Sequence, residues 1–319
     1  MLNSILVVTL LFAQKDISQE IAELMFQVAG NHPGFRPVHA KGIVCKGTFT
    51  ASADAQTVSR AAHFQGSALP VIVRFSDGDP NPAIADSAPD AAPRGMAIRF
   101  TLPEGKATDI VAISHNGFLV ATGEEFLEFM KARAATDPTK PHPWPIEAFV
   151  GSHPAALKFV QDPKPTPVSF ATESFFANNA FAFVNKEGVK HTGRFQILPV
   201  GEAQYLDDGA AKAKAPNFLF EELKSRLAAG SAKFRLVLQL ASPGDKTGDS
   251  TVVWPDDRKK VDMGTITITT VDPDSASAEK SLAFDPARLT DGIELGDDPL
   301  PALRSRVYAL SVAHRRRAK

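Results

Sequence analysis

Short apolar stretches recur along the chain and are separated by polar turns. Pro70–Phe75, Gly95–Leu102, Ile110–Ser114, Phe181–Asn185, Gly193–Pro199, Phe234–Leu240 and Gly264–Thr270 have the length and the β-branched or aromatic content of strands. Clusters rich in Asp, Pro and Gly, such as Asp77–Pro82 and Ser242–Asp249, fall between them. Helical spacing of apolar positions predicts helices over Ile17–Ala29, Glu124–Ala135, Phe218–Ala229 and Pro299–Arg315. Strands that follow one another without helices between them pair antiparallel, and seven or eight of them are enough to close a barrel. No internal repeat or low-complexity linker divides the chain, and the proline-rich stretch Asp137–Pro145 reads as a long surface connection. The expectation is an α+β chain with one domain over residues 16–319, behind an apolar segment at 1–15.

Composition narrows the function classes. The 35 basic and 36 acidic residues nearly cancel, so no single-sign field points to a nucleic acid partner. The basic run His314-Arg315-Arg316-Arg317 with Lys319 reads as a solvated tail. Cys45 is the one cysteine, which rules out an intrachain disulfide and a multi-cysteine metal site and fits a reducing compartment. The apolar run Leu2–Ala13 is too short to span a bilayer. It lacks a preceding Lys or Arg, so the expected location is the cytoplasm, with the periplasm as the alternative if this run acts as an export signal. No later stretch reads as transmembrane.

The candidate chemistry is concentrated in the last predicted helix. Arg304, Tyr308, Ser311 and Arg315 fall at i, i+4, i+7 and i+11 and share one face, beside an apolar stripe of Leu300, Leu303, Val307 and Leu310. Tyr308 is one of only two tyrosines, and an arginine one turn before it would stabilise an anionic phenol oxygen, a strong donor to ferric iron. Spacing alone favours the simpler reading, a buried tyrosine bonded to its arginine. His39, in His32–Gly42, and Arg74 with Ser76, which alternation places on the face opposite Val73 and Phe75, are weak signals taken singly.

Taken together these segments resemble the heme catalase family. Arg36-Pro37-Val38-His39-Ala40-Lys41-Gly42 matches the family's stretch around its distal histidine, and Val73-Arg74-Phe75-Ser76 matches a family strand. Arg94-Gly95-Met96-Ala97 follows the next, with methionine replacing an aromatic residue. Asp249–Pro255 resembles an Asp-x-Thr-x-x-Trp-Pro stretch, and Arg304–Tyr308 the proximal Arg-x-x-x-Tyr helix, with Arg315 as its later arginine. The segments occur in family order from about Ile17 to Arg315.

The resemblance implies an antiparallel eight-stranded β-barrel of catalase type with flanking helices, the last of them the proximal helix. It implies heme b with Tyr308 as the iron ligand and Arg304 stabilising the phenolate. Val38 would touch the heme, and Arg36, Arg74 and Arg315 would meet its propionates. His39 would move the peroxide's proton, Ser76 would hold its other ring nitrogen, and Asn116 would orient the peroxide, although the spacing at Ser114–Phe118 departs from the family's. Leu310 and Ser311 replace the family's Asp-Thr after the tyrosine.

The chain resembles the compact branch called catalase-related peroxidases, so the arm, wrapping loop and further domain of large catalases are not expected. The expected activity is a heme peroxidase that reduces organic hydroperoxides and hydrogen peroxide with an unidentified electron donor. The chain would act as a monomer or small homo-oligomer, with no nucleic acid and no membrane partner. A true catalase is one alternative. A noncatalytic heme-binding barrel is another.

Overall fold

The computed structural model describes residues 15–317, so the apolar run before Lys15 and the final Lys319 lie outside the described residues. In chain order the elements are α1 (Ile17–Ala29), β1 (Gly42–Ala51), α2 (Ala55–Val58), β2 (Leu69–Ser76), β3 (Gly95–Thr101), β4 (Ala107–Ile113), α3 (Gly123–Ala135), α4 (Pro145–Ser152) and α5 (Pro154–Gln161). They continue with β5 (Phe175–Phe176), β6 (Phe181–Val184), β7 (Lys190–Pro199), α6 (Asp208–Lys212), α7 (Phe218–Ala229), β8 (Ala232–Leu240), β9 (Lys260–Val271), α8 (Ser275–Ser281), β10 (Ile293–Leu295) and α9 (Leu300–Arg317).

The sheet runs β10-β6-β7-β5-β4-β3-β2-β1-β9-β8, and a further β7–β8 pairing closes it. Eight strands thus form an antiparallel β-barrel, as expected, with β6 and β10 added beside β7. Closure leaves the barrel itself without an edge strand to protect. Inward positions pack phenylalanines, including the fully buried Phe49, Phe75, Phe100, Phe175 and Phe234. Outward rows pair across strands: Arg74 with Ala97 and Val111, and Ser76 with Gly95 and Ile113.

Helices cover that outward surface. α1 buries Ile21, Ala22 and Met25, which recur at helical spacing, against Met130 of α3 and Leu303 and Val307 of α9. Asp298 fixes the start of α9 by accepting the Leu300 N–H at 2.9 Å. The seven expected strands are present, the longest, β9, extending four residues before its expected start.

Three strands escape the periodicity. β5 and β10 are very short, and β1 is diluted by Gly42, Lys46, Gly47 and Thr48. Gly47 sits at a bulge where a Cβ would come within 2.1 Å of the Thr267 carbonyl oxygen, so close strand approach, not apolar pattern, set that residue. α4 and α5, which begin at prolines, were also not expected.

Gly264 holds the neighbouring bulge between β8 and β9. Its φ is 132°, and a Cβ there would lie 2.3 Å from the Thr50 carbonyl oxygen. Gly264→Ala is therefore expected to destabilise the barrel by roughly 2–4 kcal/mol, read as a lower urea midpoint with an unchanged slope. An unchanged midpoint would show that the bulge tolerates a side chain.

Candidate active site

Two adjoining cavities of about 120 and 320 Å³ lie between the outward faces of β2–β4 and the helices α1 and α9. Both are bordered by Met25, Val38, His39, Ile113, Arg304, Val307 and Tyr308. Together they fall in the range of small-molecule sites, roughly 300–1,000 Å³. The smaller cavity also meets Arg36, Arg74, Ser76, Ser311 and Arg315. All four residues of the α9 stripe therefore reach one space.

His39 stands in a left-handed backbone conformation, with φ 54°, which is uncommon outside glycine. Four contacts hold it. Its N–H donates to the Gly78 carbonyl at 3.1 Å. Its carbonyl accepts Arg74 Nη2 at 2.7 Å. Its Nδ1 lies 3.0 Å from the Asp77 carbonyl oxygen and 3.2 Å from Ser76 Oγ. A backbone carbonyl only accepts, so Nδ1 carries the hydrogen and Nε2 keeps a free lone pair. Burial, followed by the charge of Arg74, pushes the imidazole pKa down to about 4. The ring is thus a neutral base near pH 7.

Glycines make room for this arrangement. A Cβ on Gly95 would lie 2.6 Å from Ser76 Oγ and 3.0 Å from His39 Nδ1. A Cβ on Gly42 would lie 2.1 Å from Arg74 Nη2. Each is excluded by a functional side chain lying against the backbone.

On α9, Arg304 donates to the Tyr308 phenol oxygen from Nε at 3.2 Å and Nη2 at 2.9 Å. Arg304 Nη1 donates in turn to Asn179 Oδ1, and Asn179 Nδ2 to Asp298 at 2.9 Å. Asp298, Asn179, Arg304 and Tyr308 thus form one chain of hydrogen bonds anchored at the start of α9. The sequence pointed to the last two only. Asn179 comes from the link between β5 and β6, and no spacing rule connects it to α9.

Asn116 stands outside this lining and borders neither cavity. β4 ends at Ile113, opposite Gly95, and the chain then bends away. Asn178 clamps that bend, accepting the Gly117 N–H at 2.9 Å and donating to the carbonyls of His115 and Gly117. The side chain beside the cavity is the apolar Ile113, not an amide.

The remaining arginines gather at one edge. Arg36 and Arg74 both bond Glu279 of α8. Arg315 donates to Ser311 Oγ at 2.9 Å and to the Leu282 carbonyl at 3.0 Å, while its buried Nε has no partner.

The chain matches the Catalase family over residues 21–319. It belongs to that family. It is 37% identical over 286 residues to a catalase-related peroxidase of Mycolicibacterium paratuberculosis, covering 89% of this chain and 90% of that protein. A catalase-related peroxidase of Synechococcus elongatus is 36% identical over 293 residues, with coverages of 90% and 85%. Among solved structures, catalase A of Saccharomyces cerevisiae superposes with a TM-score of 0.79 at 20% identity, over 89% of this chain and 62% of that one. The barrel and its helices are therefore the catalase fold.

Membership implies a heme, and the cavity edge fits one. Arg36, Arg74 and Arg315 carry three positive charges against the single carboxylate of Glu279, leaving two charges to be met. A heme brings two carboxylates. The cavity also offers one phenol oxygen as an iron donor, and among the described residues no group of three His, Cys, Asp or Glu residues could hold a metal instead. Tyr308→Phe is expected to remove most heme retention, measured as Soret absorbance per protein after gel filtration. Full retention with an unaltered spectrum would exclude Tyr308 as the ligand.

Proposed function

We propose that the protein is a heme b peroxidase that reduces organic hydroperoxides as well as hydrogen peroxide. The observation that carries this reading is the pair on one cavity: a phenol oxygen held by two arginine N–H groups, and a neutral imidazole whose Nε2 is free. Tyr308 would bind the iron and Arg304 would balance the ligand's charge. Arg36, Arg74 and Arg315 would hold the propionates, and Val38 would pack on the ring. Heme, when bound, supplies the redox chemistry, taking two oxidising equivalents from the peroxide and passing them to a donor.

The rest belongs to the protein. His39 Nε2 accepts the proton from the terminal oxygen of ROOH and returns it to the RO oxygen as the O–O bond breaks, so the leaving group departs as ROH. Asp77 and Ser76 keep Nδ1 protonated, which leaves Nε2 as the only working atom of the ring. Ile113 in place of a side-chain amide means that orientation of the peroxide falls to His39 and to apolar walls. The larger cavity is rich in such walls, among them Phe118, Leu119, Phe126, Phe129 and Phe159, and suits an alkyl or aryl group. The net reaction is ROOH with two electrons and two protons giving ROH and water.

The test is stopped-flow mixing of heme-loaded protein with an alkyl hydroperoxide across pH. The base form of His39 exists above its pKa, so the rate constant should hold from pH 8 to about 5 and fall as pH drops through about 4. His39→Ala should keep heme and lose about two to four powers of ten in this rate. A wild-type rate in His39→Ala would exclude the acid–base role. Vigorous oxygen release from hydrogen peroxide without turnover of the alkyl substrate would replace the peroxidase reading with a catalase one.

A further inference from the structure

The reading above assigns the cofactor's carboxylates to Arg36, Arg74 and Arg315, and the inference that follows rests on it. A fourth charged group stands behind these arginines. Glu279 of α8 does not border the cavity, yet its two carboxylate oxygens accept Arg74 Nε at 2.7 and 2.9 Å. The same carboxylate bonds Arg36 Nη1, which also donates to the Glu279 carbonyl at 3.1 Å. Arg36 and Arg315 both donate to the Leu282 carbonyl just beyond α8, at 2.8 and 3.0 Å. Among the described residues no other carboxylate forms an ion pair with any of the three.

The group is nearly closed to water, with side-chain exposures of 14% for Arg36, 5% for Arg74 and 16% for Glu279. Burial and then the charge of Arg74 pull Arg36 down to about 9 and Arg315 to about 10. Burial pushes the Glu279 carboxyl up, but Arg74 and Arg36 outweigh it and hold it below its usual value. Three crowded guanidinium groups with no anion would be costly to bury, so Glu279 supports the heme-free chain. Once two cofactor carboxylates reach the same cations from the cavity side, Glu279 faces them as a like charge. Its stabilisation is then worth less in the loaded protein than in the empty one. By linkage, a group that favours the empty state weakens binding by the same factor.

We propose that Glu279 is a resident counterion of the arginine cluster, which keeps the empty site folded and loosens the hold on heme. A merely structural role would give the opposite sign for binding, since loss of α8 packing would release heme faster.

The test compares heme-loaded wild type and Glu279→Gln, each mixed with excess apomyoglobin as heme acceptor, the transfer being followed by absorbance. The glutamine variant should release heme about fivefold more slowly or slower still, while its heme-free form melts at a lower temperature than the heme-free wild type. Equal or faster release overturns the proposal. If the heme-free variant does not fold, the transfer rate still decides, because it is read from loaded protein. Heme dimethyl ester, which carries no carboxylate charge, provides the second arm. Both proteins should release the ester at the same rate, and a slower release of it by the variant overturns the proposal. Wild type that holds the ester as tightly as heme also overturns it, and in that case the fault lies in assigning the arginines to the carboxylates.

Discussion

A guanidinium buried on the outer wall of a β-barrel has to find anions, and Arg74 organises much of the site by doing so. Its Nε is held by Glu279 and its Nη2 by the carbonyl of His39. The second bond matters most, because His39 occupies a backbone region that a non-glycine residue enters at a cost of about 1–3 kcal/mol. The conformation persists because the surroundings over-determine it. Arg74 holds the carbonyl of His39, Gly78 its N–H, and Asp77 and Ser76 together its Nδ1. One strand position thus links the charge balance at the cavity edge to the orientation of the base.

The other wall is organised by a helix. α9 presents Arg304, Tyr308, Ser311 and Arg315 to the cavity because their spacing matches its pitch, while Leu303 and Val307 bury against α1. Asp298 both caps the helix and starts the chain of bonds through Asn179 and Arg304 to the phenol oxygen. Sliding or fraying of the first turn would therefore misplace the phenol directly. The phenol side of the cavity is tied to helix position, and the imidazole side to barrel register.

This division explains what the sequence made legible. Strands such as β2 and β9 carry recurrent apolar positions because one face meets the phenylalanine core, and α9 shows its polar stripe because a helix puts i, i+4 and i+7 together. Local periodicity carries those features. β1 was missed because bulge and close-approach glycines break its pattern. Asn179, Asp298 and Glu279 were missed because their partners lie 125, 119 and 243 residues away or are set by loops. Asn116 stands apart from the cavity lining for a related reason. The family pattern gave an amide a place after β4, but where the chain leaves the strand is decided by Asn178, far along the sequence. The Asp77 contribution was invisible in principle, since it comes from a main-chain carbonyl that any residue would supply.

The site also shows how little of a large catalase fold is needed to assemble it. This chain covers 62% of catalase A, yet its β2–β4 wall, α1 and α9 bring the phenol, the imidazole and three arginines to one cavity. These groups are set by barrel register and by the packing of two helices, both of which are internal to the compact chain. What such a chain leaves to variation is the approach. Ile113 and the aromatic residues of the larger cavity offer a peroxide shape and dryness but no amide to fix its orientation. Apolar walls orient a substrate only if it has an apolar group to bury, at about 25 cal/mol per Å² of surface removed from water. Hydrogen peroxide has none. On the function proposed above, such a wall would hold an alkyl hydroperoxide better than hydrogen peroxide.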